Sequence, residues 1–222
     1  MYEQVKSIIQ ATTDIYINNF LQKIADDKKQ LALTAYEKDI DRLSKFCYEE
    51  IFLDTNFRLK SPLIKGIHKN FYPEGYVQKS RDEKGQEFIW MIPGEYREID
   101  LIAGDAIEQD VYTRTQNIQT LMNKILSDFR THFESAENTD ERKDLIVLCI
   151  MDIVKIHPFG DGNGRTLSIL LDLLLFKNDI KPFHLFKIKE NHKDELYESI
   201  AKVWERRDLT DIYEVIEKYS ES

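Results

Sequence analysis

Helix breakers are scarce in this chain, and that scarcity limits the fold more than any other feature. Five prolines and eight glycines are spread over 222 residues. Long stretches therefore have nothing to interrupt a helix. Val5, Ile8, Ile9, Ile15, Phe20, Leu21 and Ile24 recur at helical intervals, predicting a helix over Tyr2–Lys23. Leu33, Tyr36, Ile40, Leu43, Phe46, Cys47 and Phe52 predict a second over Leu31–Phe52. Ser61-Pro62 reads as a helix start, with a capping side chain and a proline where its missing N–H does no harm; that helix runs to about Asn70.

The period changes over residues 71–104. Gly75–Lys79 and Glu87–Met91 read as strands around the turn-rich Arg81–Gly85, which is a hairpin signal. Helical spacing resumes from Asp105 to about Glu134. Asn138-Thr139-Asp140-Glu141 opens a further helix, which must end at His157-Pro158 because a residue before proline avoids the helical region. Leu167–Phe176 is apolar nearly all round and predicts a central, buried helix. Pro182 separates it from helices over Lys193–Arg206 and about Thr210–Tyr219. The fold class is an all-α helical bundle carrying one small β-hairpin. Residues 1–60 read as an N-terminal helical elaboration on a core over 61–222, together one compact unit.

Charge and composition exclude several classes. A net charge of −9 leaves no broad basic face for nucleic acid. No run approaches the roughly 20 apolar residues of a membrane span. Met1–Gln10 lacks the apolar stretch of a signal peptide, so a cytoplasmic location is expected. Cys47 and Cys149 sit inside apolar helical patterns and read as buried free thiols. His68, His132, His184 and His192 share no metal-binding spacing and read as surface or core histidines. Asp26-Asp27 and Glu49-Glu50 read as solvated faces.

One stretch stands apart: His157-Pro158-Phe159-Gly160-Asp161-Gly162-Asn163-Gly164-Arg165-Thr166, a polar, flexible loop between two strongly apolar helices. It leads into a helix N-terminus, where unpaired N–H groups and the helix dipole favour an anion. Gly160, Gly162 and Gly164 let the backbone wrap closely round a ligand. Gly160, Asp161, Gly162, Asn163 and Gly164 thus form a phosphate cradle. Arg165, poorly placed for the dipole, makes sense as a bidentate clamp on a second phosphate. Asp161 beside a polyphosphate calls for a bridging Mg²⁺. His157 can take a proton from an attacking hydroxyl. These are the parts of a phosphoryl or nucleotidyl transfer site. Phe159 reads as the ring that anchors the loop by burial.

The stretch from His157 to Arg165 fulfils every specified position of the Fic (filamentation induced by cAMP) signature: His-Pro-Phe, any residue, Asp or Glu, Gly-Asn, Gly or Lys, Arg. The chain resembles that family more loosely from about Ser61 to Tyr219, including Pro93–Arg97 and the Leu196-Tyr197 helix. The resemblance implies a protein adenylyltransferase: AMP moves from ATP to a Ser, Thr or Tyr hydroxyl of a target protein, releasing pyrophosphate. It gives His157 the role of base, Asp161 that of positioning Mg²⁺, Gly162–Gly164 that of an anion hole, and Arg165 that of contacting the terminal phosphates. By the same resemblance Tyr197 borders the nucleotide base. Trp204 stands near a polar nucleotide contact of relatives, a difference in the pocket. The hairpin at about 75–91 resembles the family's flap, which docks an extended target segment as an added strand. The family's self-inhibitory signature has one partial match, Thr210 and Glu214, with Val215 where Gly or Asn is required; the pair fits an exposed helix face. Inhibition then falls to a separate, antitoxin-like protein, to another control, or to none. Two alternatives stay open: transfer of UMP, phosphocholine or a phosphate, and a non-catalytic nucleotide-binding interaction module.

Overall fold

The computed structural model describes residues 1–103, 110–111 and 113–219. Two N-terminal helices, α1 (Tyr2–Leu21) and α2 (Asp26–Cys47), pack as a hairpin. The second ends in a wide π-turn over Tyr48–Leu53, where an unbroken α-helix to Phe52 is expected from spacing alone. Asp26 and Asp27 occupy the first turn of α2, where a carboxylate complements the unpaired N–H groups.

Helix α3 (Ser61–Asn70) begins where the proline predicts. Its start is not capped by Ser61, however. The Ser61 hydroxyl lies 2.6 Å from the Tyr96 hydroxyl and so ties α3 to the segment after the hairpin.

The hairpin pairs β1 (Gln78–Arg81) with β2 (Glu87–Met91) in antiparallel register, Lys79 opposite Ile89 and Arg81 opposite Glu87. The first strand begins three residues later than its sequence pattern suggests. Pro73–Tyr76 closes a turn, with Gly75 at φ +76° and the Tyr76 N–H donating to the Pro73 carbonyl, so the chain extends only beyond it. Asp82 organises the tip: its Oδ1 accepts from the Lys84 and Gln86 N–H groups.

Among the described residues the helix expected from Asp105 to about Glu134 is found only from Thr115. Residues 104–109 and 112 lie outside the described residues. Within the described part, β3 (Ile102–Ala103) pairs with β4 (Asp110–Val111), and α4 starts only at Thr115 and runs to Ser135. Asp100 fixes that start from a distance, accepting from the Thr115 N–H at 2.8 Å and from Arg114 at 2.7 Å.

Helix α5 (Thr139–Ile156) carries the expected cap, Asn138 accepting from the Glu141 N–H. Helix α6 (Asn163–Lys177) is the axis of the bundle, with Leu167, Ile169, Leu170, Leu171, Leu173, Leu174 and Leu175 all buried. Around it, Val5 and Ile9 of α1, Leu43 of α2, Ile64 of α3, Met122 of α4 and Ile150 of α5 close a single core. Helices α8 (Lys193–Arg206) and α9 (Thr210–Tyr219) add Val203 and Ile212 to it. Cys47 and Cys149 are buried thiols, and burial raises the pKa of both. Among the described residues no helix is long and apolar enough to cross a membrane.

Apolar spacing does not predict helix α7 (Leu185–Asn191). It is hung from α6 by Asp172, a fully buried carboxylate in that helix's apolar run. Its Oδ1 accepts from the N–H groups of Phe183 at 2.9 Å and His184 at 3.0 Å, just before α7 begins. Removing this acceptor takes the partner from two half-buried donors. Asp172→Ala is expected to lose about 3 kcal/mol and lower Tm by roughly 6–12 °C, with Asp172→Asn much closer to native, as read by thermal unfolding.

Candidate active site

Helix α5 ends at His157, which takes the left-handed conformation (φ 53°) while its N–H donates to the Ile153 carbonyl at 3.1 Å. A non-glycine residue in that region needs support from its surroundings. Arg97 supplies it. This buried side chain donates through Nε to the His157 carbonyl at 2.8 Å and reaches the Ile156, Ile99 and Thr113 carbonyls, and its own N–H donates to the Pro158 carbonyl. The guanidinium thus satisfies carbonyls at the negative end of α5.

The loop folds back on itself through Asn163. Its side-chain oxygen accepts from the Phe159 N–H at 3.0 Å and its amide donates to the Phe159 carbonyl at 2.8 Å. Phe159 is fully buried, as the sequence implies, and stacks on His68 with centroids 3.9 Å apart and planes within 6°. His68 Nδ1 accepts the Gly94 N–H at 2.9 Å, which leaves Nε2 as the donor to the Asp161 carbonyl at 2.9 Å. Both bonds suit the neutral ring, and burial lowers its pKa to about 4. Trp90 of β2 donates to the Gly160 carbonyl at 3.1 Å, which joins the hairpin to the loop.

The three loop glycines play different parts. A Cβ on Gly160 would sit 2.6 Å from the Trp90 carbonyl oxygen. Gly162 caps α6 at φ +76°, with the Tyr72 hydroxyl 2.5 Å from where its Cβ would be. At Gly164 the nearest atoms would be Lys189 Nζ at 3.6 Å and the Phe186 ring at 3.9 Å, so the fold has room for a methyl there.

A cavity of about 810 Å³ opens between α5, α6, α7 and α8. His157, Asn163, Gly164 and Tyr197 line it, as do Lys189 and Trp204, with apolar walls that include Ile150, Leu167, Leu196 and Ile200. Trp204 Nε1 donates to the Met151 carbonyl at 2.9 Å, so its polar atom is already engaged. The His157 pKa is lowered to about 4 by burial, then by the positive charge of Arg97 and, more weakly, of Lys189, against an opposing pull from Asp161. The imidazole is therefore unprotonated at neutral pH.

Gly160, Asp161, Gly162 and Arg165 belong to the same loop but do not line that cavity. Arg165 is only 7% exposed. It donates to the Tyr72 hydroxyl at 3.1 Å and to Asp161 Oδ2 at 3.3 Å, and Tyr16 of α1 lies over it at 4.0 Å. The Asp161 carboxylate is about half exposed. Sequence reasoning missed His68, Arg97 and Lys189. The signal for Arg97 was a lone arginine after Pro93-Gly94, and for His68 its place on the buried face of α3.

A helical bundle whose central helix opens on this loop, with a hairpin against it, defines the class of Fic-domain proteins. Residues 58–175 match the Fic/DOC family, and the chain belongs to that family. The phosphocholine transferase AnkX of Legionella pneumophila is 34% identical over 68 residues, which are 30% of this chain and 7% of that relative. A Fic-domain signaling protein from Bacteroides thetaiotaomicron superposes with a TM-score of 0.62 at 16% identity, covering 99% of this chain and 91% of its own. BepC of Bartonella tribocorum, a translocated effector protein solved with bound AMPPNP, superposes with a TM-score of 0.53 at 12% identity over 84% of this chain and 86% of its own. These likenesses show a shared fold.

Gly160→Ala forces a methyl against a backbone carbonyl and should cost about 1–3 kcal/mol. Gly164→Ala should leave thermal stability unchanged, and the pair compared by thermal unfolding checks the contrast. His68 and His157, each lowered to about 4 from an unfolded value of 6.5, bind fewer protons in the folded chain than in the unfolded one between those values. Stability contributed by both is present above pH 6.5 and lost as pH falls toward 4. Tm measured across that window should drop, and His68→Gln should remove part of the slope.

Proposed function

We propose that the chain transfers AMP from ATP to a Ser, Thr or Tyr hydroxyl of a target protein. The observation that carries this reading is the neutral His157 imidazole on the wall of a nucleotide-sized cavity, beside Gly164 in the first turn of α6. His157 takes the proton of the target hydroxyl. The hydroxyl oxygen forms a bond to the α-phosphorus, the bond from that phosphorus to the bridging oxygen breaks, and pyrophosphate leaves with the electron pair. The N–H groups of Asn163, Gly164 and Arg165 precede the first α6 bond, from Thr166 to the Gly162 carbonyl, and stand ready for the phosphate oxygens. The apolar walls and Tyr197 take the base, with Trp204 closing the far part of the pocket.

The half-exposed Asp161 carboxylate suits Mg²⁺, which accepts one protein carboxylate with phosphate and water oxygens completing its shell. When bound, the ion would neutralise phosphate charge. The hairpin leaves Val77 and Ile89 exposed beside its strands, which suits docking of an extended target segment by strand addition. Control by a separate inhibitor protein, and a cytoplasmic place of action, belong to the same proposal.

A second reading, transfer of phosphocholine from a nucleotide-linked donor, is favoured by the 34% identity to AnkX over 68 residues. The test incubates the purified chain with lysate, Mg²⁺ and either α-labelled ATP or choline-labelled CDP-choline. Label on protein from ATP, reduced roughly 10²–10⁴-fold by His157→Ala, is the expected outcome. Label from CDP-choline alone would replace AMP transfer with the second reading. Nucleotide binding without label from either donor would make the chain a binding module.

A further inference from the structure

The loop's own cation, Arg165, is spoken for: it is buried under Tyr16 and bonded to Tyr72 and Asp161. The cavity instead receives a cation from α7. Lys189 lines it together with His157 and Gly164. Its Nζ lies 3.6 Å from the point a Gly164 Cβ would occupy, so the missing side chain leaves open the space between the ammonium and the first turn of α6. Among the described residues this ammonium makes no ion pair and no hydrogen bond; it stands 5.1 Å over the Phe186 ring. Partial burial is costly for a lysine, and it is the chief cause that lowers the pKa of this one, against a raising pull from the Glu190 carboxylate. An ammonium with no ion pair, set beside the first turn of α6 across an open gap in the cavity, suits an anion.

We propose that Lys189 is a donor-binding residue that holds the phosphate chain from the α7 side, opposite the N–H groups of α6. The assignment rests on the functional reading above and names a contact that reading lacks. An ammonium there pairs with phosphate oxygens and adds nothing to the binding of a bare nucleoside. Its contribution therefore scales with the phosphates present.

The experiment measures equilibrium binding of adenosine, AMP, ADP and ATP, and of cytidine and CDP-choline, to the native chain, Lys189→Ala, Lys189→Arg and Lys155→Ala. Lys155 also lines the cavity, but beside Trp204, 5.7 Å from its ring. Thermal unfolding confirms that each variant is folded. The expected result is a loss of roughly tenfold to a hundredfold for the phosphorylated ligands in Lys189→Ala. Nucleoside binding should stay unchanged, Lys189→Arg should retain most of the affinity, and Lys155→Ala should lose little. Unchanged affinity for phosphorylated ligands in Lys189→Ala overturns the assignment alone. So does an equal loss for nucleosides, or an equal loss in Lys155→Ala. Failure of the native chain to bind any of the six ligands overturns the functional reading itself, and the assignment with it.

Discussion

The neutral ring of His68 is the constraint on which the site depends. It joins three segments far apart in sequence: α3, which carries it, Gly94 after the hairpin, and Asp161 in the loop. Its flat face adds the stacking contact with Phe159. Protonating the ring would give Nδ1 a proton it has no use for, because that nitrogen already accepts from Gly94. A cation there would also sit near Arg165. The imidazole thus works as an uncharged two-ended connector, and a proton on Nδ1 would break its bond to Gly94.

Arg97 does the complementary work at the end of α5. The left-handed turn at His157 aims the chain out of the helix, and four carbonyl contacts from one guanidinium keep that turn in place. Both His68 and Arg97 act on backbone rather than on any ligand. The loop between α5 and α6 is accordingly held from outside, by α3 and by the segment after the hairpin, more than by its own residues.

Much of the bundle can be read from the sequence because burial leaves a period behind. The all-round apolar run of α6 and the Asn138 cap of α5 are legible this way. The motif loop is legible because its residue types are so improbable between two core helices. The misses share a cause: each rests on a contact that spacing does not register. The start of α4 is set by Asp100, the turn before β1 by Pro73–Tyr76, and the neighbour of Ser61 is Tyr96. Spacing can say that Arg165 follows the glycines. Only the folded chain brings Tyr16 over it and turns the cavity toward Lys189. Even so, a trace of the hidden helix is present: one aspartate, Asp172, in the middle of an otherwise apolar stretch.

That aspartate has a mechanical consequence. Because Asp172 of α6 grips the backbone just ahead of α7, the amide-bearing and ammonium-bearing sides of the gap are both tied to one helix. The distance between them is set in the core, by a buried carboxylate that no solvent ion competes for.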